Sequence, residues 1–412
     1  MNTEKRPKVL LLVTQDTKEE EGRFLRQTLE DAGCEVIHLD PSVRRTVGGA
    51  EISPEQVAGA AGKTIEEVRA LGHEGKCQAV MIEGTLKLAL ELHAKEGLSG
   101  VLAIGGSMGT SLAGIVMQQL PYGLPKLIIS TMASGFTPPF IGVKDITMHN
   151  AVCDIAGLNS ITTEVYRNGA LALAGMAHGY SPAVAMGKPL VLVSTLGTTE
   201  ACARRVRKTL ESDGYEVMVF HTTGTGGKTL DAIAAERDVA CVVDMSLVEI
   251  VDLLNGGICS AGPDRAKAAV QRGLPVIFAP GNCDFIIAGP IEDASARYPG
   301  KRYHVHNPAL TAVRTEEAEL AGVAQHMAGL TAEAKGPVRF FVPLHGFSNH
   351  DSPAGHIHDP SLPPVFARHL EAAVAGRHPV TRIDAHINDE AFADALVACV
   401  HELTGRAGAQ HG

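Results

Sequence analysis

Two segments of the chain repeat each other without a gap, and this repeat restricts the folds that the chain can adopt. Residues 11–39 (LLVTQDTKEEEGRFLRQTLEDAGCEVIHL) and 192–220 (LVSTLGTTEACARRVRKTLESDGYEVMVF) share one pattern. In each copy a short apolar run is followed by a polar turn, a segment of helical period, a glycine and a second apolar run. This order is typical of a βαβ unit in a parallel sheet. The repeat therefore predicts an α/β protein of two Rossmann-like domains with parallel sheets.

Further apolar runs extend both sheets. They are short, nearly continuous and followed by glycine or polar residues, as expected for strands that are buried on both faces. A Gly- and Pro-containing stretch at 178–189 precedes the second copy of the repeat, so the predicted domains are residues 1–182 and 188–412. The predicted elements are strands at 79–82, 101–104, 127–130, 240–244, 275–279 and 338–344, and a terminal helix at 389–403.

Composition excludes several classes of protein. Hydrophobic residues make up 45% of the chain and charged residues 20%, which is typical of a folded protein and not of a disordered one. A net charge of -10 disfavours binding to nucleic acid and to anionic membranes, and no apolar stretch is long enough to span a bilayer. The eight cysteines are scattered and form no Cys-x-x-Cys pair. We therefore expect a cytoplasmic protein with reduced thiols.

The first candidate ligand site is the glycine-rich stretch 104–110 (IGGSMGT), here called the first glycine loop. It lies between an apolar strand and a helical segment predicted at 111–120. Glycines at such a turn let backbone N–H groups approach phosphate oxygens, and the helix N-terminus adds partial positive charge. The alternative is a tight turn that uses glycine for its geometry alone. The residues predicted to contact a nucleotide here are Gly105, Gly106, Ser107, Gly109 and Thr110.

A second glycine loop, residues 221–229 (HTTGTGGKT), lies between a predicted strand at 215–220 and a predicted helix at 230–236. It ends in Gly-Lys-Thr like a Walker A loop, but Thr222 stands where that motif has its first glycine, so no P-loop is predicted. Two interpretations stay open: the loop contacts a ligand in a cleft between the domains, or its glycines only shape the backbone. The residues concerned are Gly224, Thr225, Gly226 and Gly227.

Lys144 and Asp145 form a third, weaker candidate. They follow the motif Ser130–Gly135 (STMASG) and have the charges to bind a charged ligand. An ordinary surface ion pair is the more common reason for such a dipeptide.

Histidines are enriched late in the chain, at positions 304, 306, 345, 350, 356, 358 and 386. Imidazole and carboxylate groups are common ligands of zinc and manganese, and His356, His358 and Asp359 lie within four residues. No ligand spacing of a known type is present, so solvated or hydrogen-bonded histidines are preferred and no metal site is predicted.

A series of motifs along the chain resembles the Tm-one-like ATP-binding domain family, an otherwise uncharacterised group named after a tomato mosaic virus resistance protein. The motifs follow one another in order over nearly the whole chain, which is more specific than any single glycine loop. Between Leu344 and Pro360 the chain departs from the family pattern by its additional histidines. The matching motifs are residues 104–110, 130–135, 142–148 (GVKDITM), 154–159 (DIAGLN), 223–227, 306–308 (HNP) with 314–316 (RTE), and 384–389 (DAHIND).

The resemblance implies a two-domain Rossmann-like protein that binds ATP with magnesium and forms a homodimer, and it implies no reaction. The leading hypothesis is therefore a Mg-ATP-binding protein with its ligand between the domains. The alternative is a small-molecule enzyme, a lyase, a hydrolase or an ATP-dependent enzyme that activates an organic acid. Arginine binds carboxylates and a His/Asp pair can move protons, so the candidate residues for this chemistry are His306, Arg314, Asp384 and His386.

Overall fold

A computed structural model describes residues 6–182 and 187–406, which divide into two units, Met1–Val184 and Ala185–Gly412. The strands are β1 (Lys8–Leu12), β2 (Glu35–Leu39), β3 (Gly100–Gly105), β4 (Lys126–Ser130), β5 (Thr147–Asn150), β6 (Leu190–Thr195), β7 (Glu216–His221), β8 (Cys241–Asp244), β9 (Val276–Phe278), β10 (Phe285–Ala288), β11 (Tyr303–Asn307), β12 (Leu310–Arg314), β13 (Val338–Pro343) and β14 (Val380–Ile383).

Helices alternate with these strands in both units, and short 3-10 turns occur at Gly197–Thr199 and Asn349–Asp351. The helices are α1 (Gln15–Asp31), α2 (Pro54–Ala60), α3 (Ile65–Arg69), α4 (Glu74–Glu96), α5 (Ser107–Gln118), α6 (Pro138–Ile141), α7 (Ser160–Gly179), α8 (Glu200–Ser212), α9 (Thr225–Glu236), α10 (Val248–Asn255), α11 (Lys267–Arg272), α12 (Ile291–Arg297), α13 (Glu317–Leu330), α14 (Leu362–Val374) and α15 (Glu390–Thr404).

The first unit is built on a five-stranded parallel sheet in the order β2-β1-β3-β4-β5. Alternate residues of β1 are buried on opposite faces: Val9 and Leu11 pack with α1 and α7, and Leu10 and Leu12 pack with α2, α4 and α5. A strand covered by helices on both sides has to be apolar at every position, which explains the continuous hydrophobic runs of the sequence.

The second unit has a six-stranded parallel sheet in the order β14-β13-β9-β8-β6-β7. A separate antiparallel sheet, β10-β12-β11, is formed by the chain between β9 and β13 in the same unit. The repeat predicted from the sequence is confirmed, because β1-α1-β2 and β6-α8-β7 each form a helix-connected pair of adjacent parallel strands. The prediction of two Rossmann-like α/β domains is likewise confirmed.

One predicted strand is wrong, and one sheet was missed. Residues 79–82 are not a strand but belong to α4, in which Cys77, Met81, Thr85 and Ala89 are buried at a spacing of four residues. A run of four apolar residues fits either a strand or one turn of a buried helix, so periodicity over the longer segment decides. The antiparallel sheet was not predicted. Within the described ranges, no helix is both long and apolar enough to cross a membrane.

Candidate functional site

A cavity of about 470 Å³ opens at the carboxyl ends of β1, β2 and β3 in the first unit. The chain leaves β1 for β2 on one side and then crosses over to β3 on the other, so the connections diverge at this point of the sheet. Such a divergence leaves a crevice outside the strand ends, where ligands of open α/β sheets bind. The first glycine loop lines the cavity through Gly105, Gly106, Ser107, Met108 and Gly109.

The N-terminus of α5 faces this cavity. Gly106 is its N-cap residue and offers no side-chain cap, and the first bond of the helix runs from Thr110 N to Gly106 O at 2.8 Å. The N–H groups of Ser107, Met108 and Gly109 precede that bond and therefore have no carbonyl partner within the helix. Together with the helix dipole they form a donor set that suits an anion.

The glycines of the first loop have two different roles. A Cβ atom on Gly105 would lie 2.8 Å from Gly109 Cα, so glycine there allows the close approach of strand and helix. A Cβ on Gly106 would meet only Thr131 Oγ1, at 3.8 Å, so this position is open to a ligand. Thr110, by contrast, is buried, and its hydroxyl bonds Ser130 Oγ at 2.6 Å and Gly105 O at 3.2 Å. The Thr110 side chain thus links the first glycine loop to Ser130 at the end of β4, and it does not line the cavity.

Charged side chains that the sequence analysis missed surround the cavity: Lys18, Arg44 and Arg69 as cations, and Asp16 and Glu74 as carboxylates. Arg44 pairs with Glu74 at 3.1 Å, and Asp16 accepts a hydrogen bond from Arg44 N at 2.9 Å. These residues come from segments that follow β1 and β2, which meet only when the sheet forms.

Lys144 and Asp145 lie elsewhere. They precede β5, at the amino-terminal edge of the sheet, whereas the cavity opens at the carboxyl-terminal edge. Lys144 is buried with its ammonium group 4.0 Å from the ring centre of Tyr122. Asp145 pairs with Lys126 at 2.9 Å and accepts a hydrogen bond from Gly123 N at 2.8 Å. Both side chains thus hold the loop before β4, and neither lines the cavity.

In the second glycine loop, a carboxylate of the protein occupies the corresponding helix terminus. Helix α9 begins at Thr225, so Gly226 and Gly227 lie in its first turn. The Glu249 side chain accepts hydrogen bonds from Gly224 N at 2.7 Å and Gly227 N at 3.0 Å. A Cβ on Gly227 would collide with Glu249 and Arg265, and one on Gly226 would collide with His221 O. The glycines therefore admit an internal anion, while Thr225 is exposed.

Glu249 belongs to a fully buried ionic group. Arg265 donates to Glu249 at 2.6 Å and to both oxygens of Asp244, at 2.7 and 2.8 Å. Burial acts to lower the pKa of Arg265, but the neighbouring carboxylates of Asp244, Asp231 and Glu249 together outweigh it and the pKa is raised. This pairing keeps the carboxylate of Glu249 in place beneath α9.

The four candidate catalytic residues lie in three places. Asp384 and His386 line a second cavity of about 700 Å³, where Asp384 pairs with His345 at 2.9 Å. Both ring nitrogens of His386 are engaged, because Asn388 N donates to Nδ1 and Nε2 contacts Ser348 O at 3.0 Å. The ring then has no lone pair available for proton abstraction.

Arg314 and His306 are not part of that second cavity. Arg314 is buried, with its guanidinium group 2.9 Å from Asp351 and 4.0 Å from Asp284. Burial and the adjacent Asp351 carboxylate raise the pKa of Asp284. His306 is exposed on β11.

Three of the histidines that are enriched late in the chain converge in the structure. One ring nitrogen from each of three residues lies within 4.8 Å of the other two nitrogens, and these residues are His304, His306 and His350. Burial, and then the neighbouring His304, lower the pKa of His350 to about 4. His356 stacks on His304 with ring centres 4.8 Å apart, whereas His358 bonds the Asp351 carbonyl at 3.0 Å.

Models of two domains match the chain in sequence. The N-terminal and C-terminal domains of an uncharacterised protein family (UPF0261) match residues 7–182 and 188–404. The chain belongs to the UPF0261 family. A UPF0261 protein of Clostridium tetani is 35% identical, with 94% of this chain and 97% of that protein covered. A UPF0261 protein of Rhizobium meliloti is 32% identical, with 96% and 99% covered.

The UPF0261 chain is also similar to a plant protein. The ToMV resistance protein Tm-1(GCR237) of Solanum lycopersicum is 29% identical over 97% of this chain, which spans 56% of that longer protein. The family resemblance predicted from the motifs is thereby confirmed.

Proposed function

We propose that this protein binds a nucleotide, ATP with magnesium, in the cavity at the strand ends of its first unit. The observation that carries the proposal is the uncapped N-terminus of α5, which presents the Ser107, Met108 and Gly109 amides to a cavity of about 470 Å³. That volume falls within the range of about 300–1,000 Å³ typical of small-molecule sites. The choice of ATP among anionic ligands comes from the family resemblance.

The charges around the cavity support an anionic ligand with a bound cation. Lys18, Arg44 and Arg69 supply three positive groups. Mg²⁺ is usually held by one or two carboxylates together with phosphate oxygens, and Asp16 and Glu74 are the carboxylates at this site. Gly106 leaves room for phosphate oxygens to reach the α5 amides. We also propose that the protein forms a homodimer and is cytoplasmic. The cysteines of the described residues are free, which is compatible with a reducing compartment.

Isothermal titration calorimetry with Mg-ATP tests the proposal on Gly106→Val. The new side chain fits the fold, because a Cβ there meets only Thr131 Oγ1 at 3.8 Å, but it occupies the approach to the amides. We expect binding to weaken at least about tenfold, or about 1.4 kcal/mol. Gly175→Val, at an open and exposed position of α7, is the matched control and should bind as the wild type does. Equal affinities of all three proteins would remove the first glycine loop from the site.

The enzymatic alternative is supported by one observation, the second cavity that Asp384 and His386 share. It is the weaker candidate, because Arg314 is buried against Asp351 and His306 lies with other histidines. An organic acid in that cavity would meet Asp384 and Asp389, which repel a carboxylate.

A further inference from the structure

The antiparallel sheet of the second unit carries a group of imidazoles that the nucleotide proposal does not use. His304 and His306 lie two residues apart on the edge strand β11, and the pairing of β11 with β12 is irregular between Val305 and Asn307. His350 reaches them from the 3-10 turn Asn349–Asp351. These three residues, here called the histidine cluster, each place a ring nitrogen within 4.8 Å of the others.

We propose that the histidine cluster binds a divalent transition-metal ion, with Zn²⁺ as the preferred occupant. Neutral imidazole is a strong ligand for zinc, at about 2.0–2.1 Å, and tetrahedral coordination sets neighbouring nitrogens about 3.4 Å apart. The ring nitrogens of the cluster lie within 4.8 Å of one another. His306 is exposed, so rotation of its ring can bring its nitrogen to the distance that a shared ion requires.

The segment that carries His350 is held firmly against β11. Arg302, the residue before β11, donates hydrogen bonds to His358 O at 2.8 Å and to the Asp359 carboxylate at 3.0 Å. Asp351 in turn accepts a hydrogen bond from Asp359 N and pairs with the buried Arg314. The cluster is thus built on a fixed loop, which lowers the entropic cost of gathering its ligands.

Packing fixes the orientation of the His350 ring. The ring lies edge-on to buried Phe285 of β10 with centres 5.6 Å apart, and it is 4.2 Å from the ring centre of His304. Ile357, in the same loop, is buried in the small core that includes Phe285 and Ala312. Arg314, a residue singled out as catalytic from the sequence, acts here as a positioning residue through Asp351.

Three histidine ligands leave a fourth coordination position free. Catalytic zinc sites have this composition, whereas structural sites usually use four protein ligands. His306 and His356 are both exposed, so the open side of the cluster faces solvent and a water molecule can take the fourth position. The site would therefore accept small oxygen or nitrogen ligands from solution in exchange for that water.

Metal analysis of protein made without an affinity tag tests this proposal. After treatment with a chelator and dialysis against ZnCl₂, we expect about one equivalent of zinc per chain. His306→Ala and His350→Ala should each weaken binding at least about tenfold, since even the loss of a supporting group around a metal typically costs that much. His369→Ala is the control, because His369 is a partly exposed histidine on α14 that pairs with Glu317 and should have no effect.

Cobalt substitution separates ligation from a purely structural role. Cysteine is a metal ligand, so His306→Cys should keep the bound Co²⁺ and add a thiolate-to-cobalt charge-transfer band that the wild type lacks. Circular dichroism of each variant checks that the fold is kept. Less than about one-tenth of an equivalent of zinc in the wild type would overturn the proposal. So would unchanged affinity in both alanine variants, or Co²⁺ bound to His306→Cys without the new band.

Discussion

The Glu249 carboxylate separates the two glycine loops at the scale of single residues. It accepts hydrogen bonds from Gly224 N and Gly227 N, which are the groups that a phosphate would otherwise meet at the start of α9. At the start of α5, Gly106 offers no side-chain cap. Two glycine-rich loops, each between a strand and a helix, thus differ because one of them has an internal anion. Glu249 lies 22 residues after Gly227 in the chain, so its contact with the loop could not be predicted from the loop sequence.

A partly buried carboxylate, Asp231, leads to a prediction about pH. Its pKa is raised from 3.8 to about 7, chiefly by burial, which outweighs the attraction of Arg265. Between about pH 4 and pH 7 the folded protein keeps a proton that the unfolded chain has released, so the free energy of unfolding falls as pH rises. Asp231→Asn cannot titrate and should lack this component.

Urea unfolding of both proteins across this pH range measures the effect. The wild type should lose stability relative to Asp231→Asn by at most about 1.4 kcal/mol per pH unit, and the difference should level off above about pH 7. Asp394→Asn, at a side chain that is 52% exposed, controls for the loss of one negative charge. A constant difference between wild type and Asp231→Asn at every pH would contradict the raised pKa.

At the scale of elements, the close packing of α9 on the Glu249 side chain predicts the effect of Gly227→Ala. The added Cβ collides with Glu249 and Arg265, so either the helix shifts or the buried ion pair opens. Overpacking of this kind costs about 1–3 kcal/mol, and more if the pair is broken. The loss is measured as a lower urea midpoint.

Gly322→Ala is the matched control for that variant. Gly322 lies on α13, is exposed, and a Cβ there has nothing within 4 Å. Alanine is the better helix former by about 0.5–1 kcal/mol, so this change should stabilise the protein slightly. A Gly227→Ala protein as stable as Gly322→Ala would show that the packing around Glu249 is looser than described.

Elements with a long regular pattern could be predicted from the sequence, and short ones could not. The repeat gave correct parallel pairs because Leu10 and its neighbours alternate between two buried faces. Residues 79–82 were misassigned because four apolar residues fit a strand as well as a helix. The strands β10 and β12 pair only with each other and β11, so their arrangement depends on contacts that local patterns do not contain.

The same distinction applies to the candidate site. The first glycine loop is a local motif between a strand and a helix, so it could be found from the sequence, and in the structure it lines the cavity. Lys18, Arg44 and Arg69 have no motif of their own, and only the folded sheet brings them to the same cavity. Charge alone does not show at which edge of a sheet a residue lies. Lys144 and Asp145 were therefore candidates from their charges, although they lie at the other edge of the sheet.

At the scale of the whole molecule, each repeat of the βαβ pattern forms its own sheet, but the two units differ at their strand ends. The first has an uncapped helix beside a charged cavity, and the second has the buried Arg265 group and the histidine cluster. We therefore propose nucleotide binding for the first unit and metal binding for the second. The sequence-based expectation that ATP also contacts the second glycine loop stays a prediction.

Hydrogen exchange with and without saturating Mg-ATP tests the central claim, that the nucleotide binds at the N-terminus of α5. Amides that bind phosphate exchange more slowly, so we predict protection of residues 105–110 when Mg-ATP is added. Additional protection of residues 223–229 would support ligand contact at the second glycine loop as well. Unchanged exchange at residues 105–110 under saturating Mg-ATP would contradict the assignment of the nucleotide to this cavity.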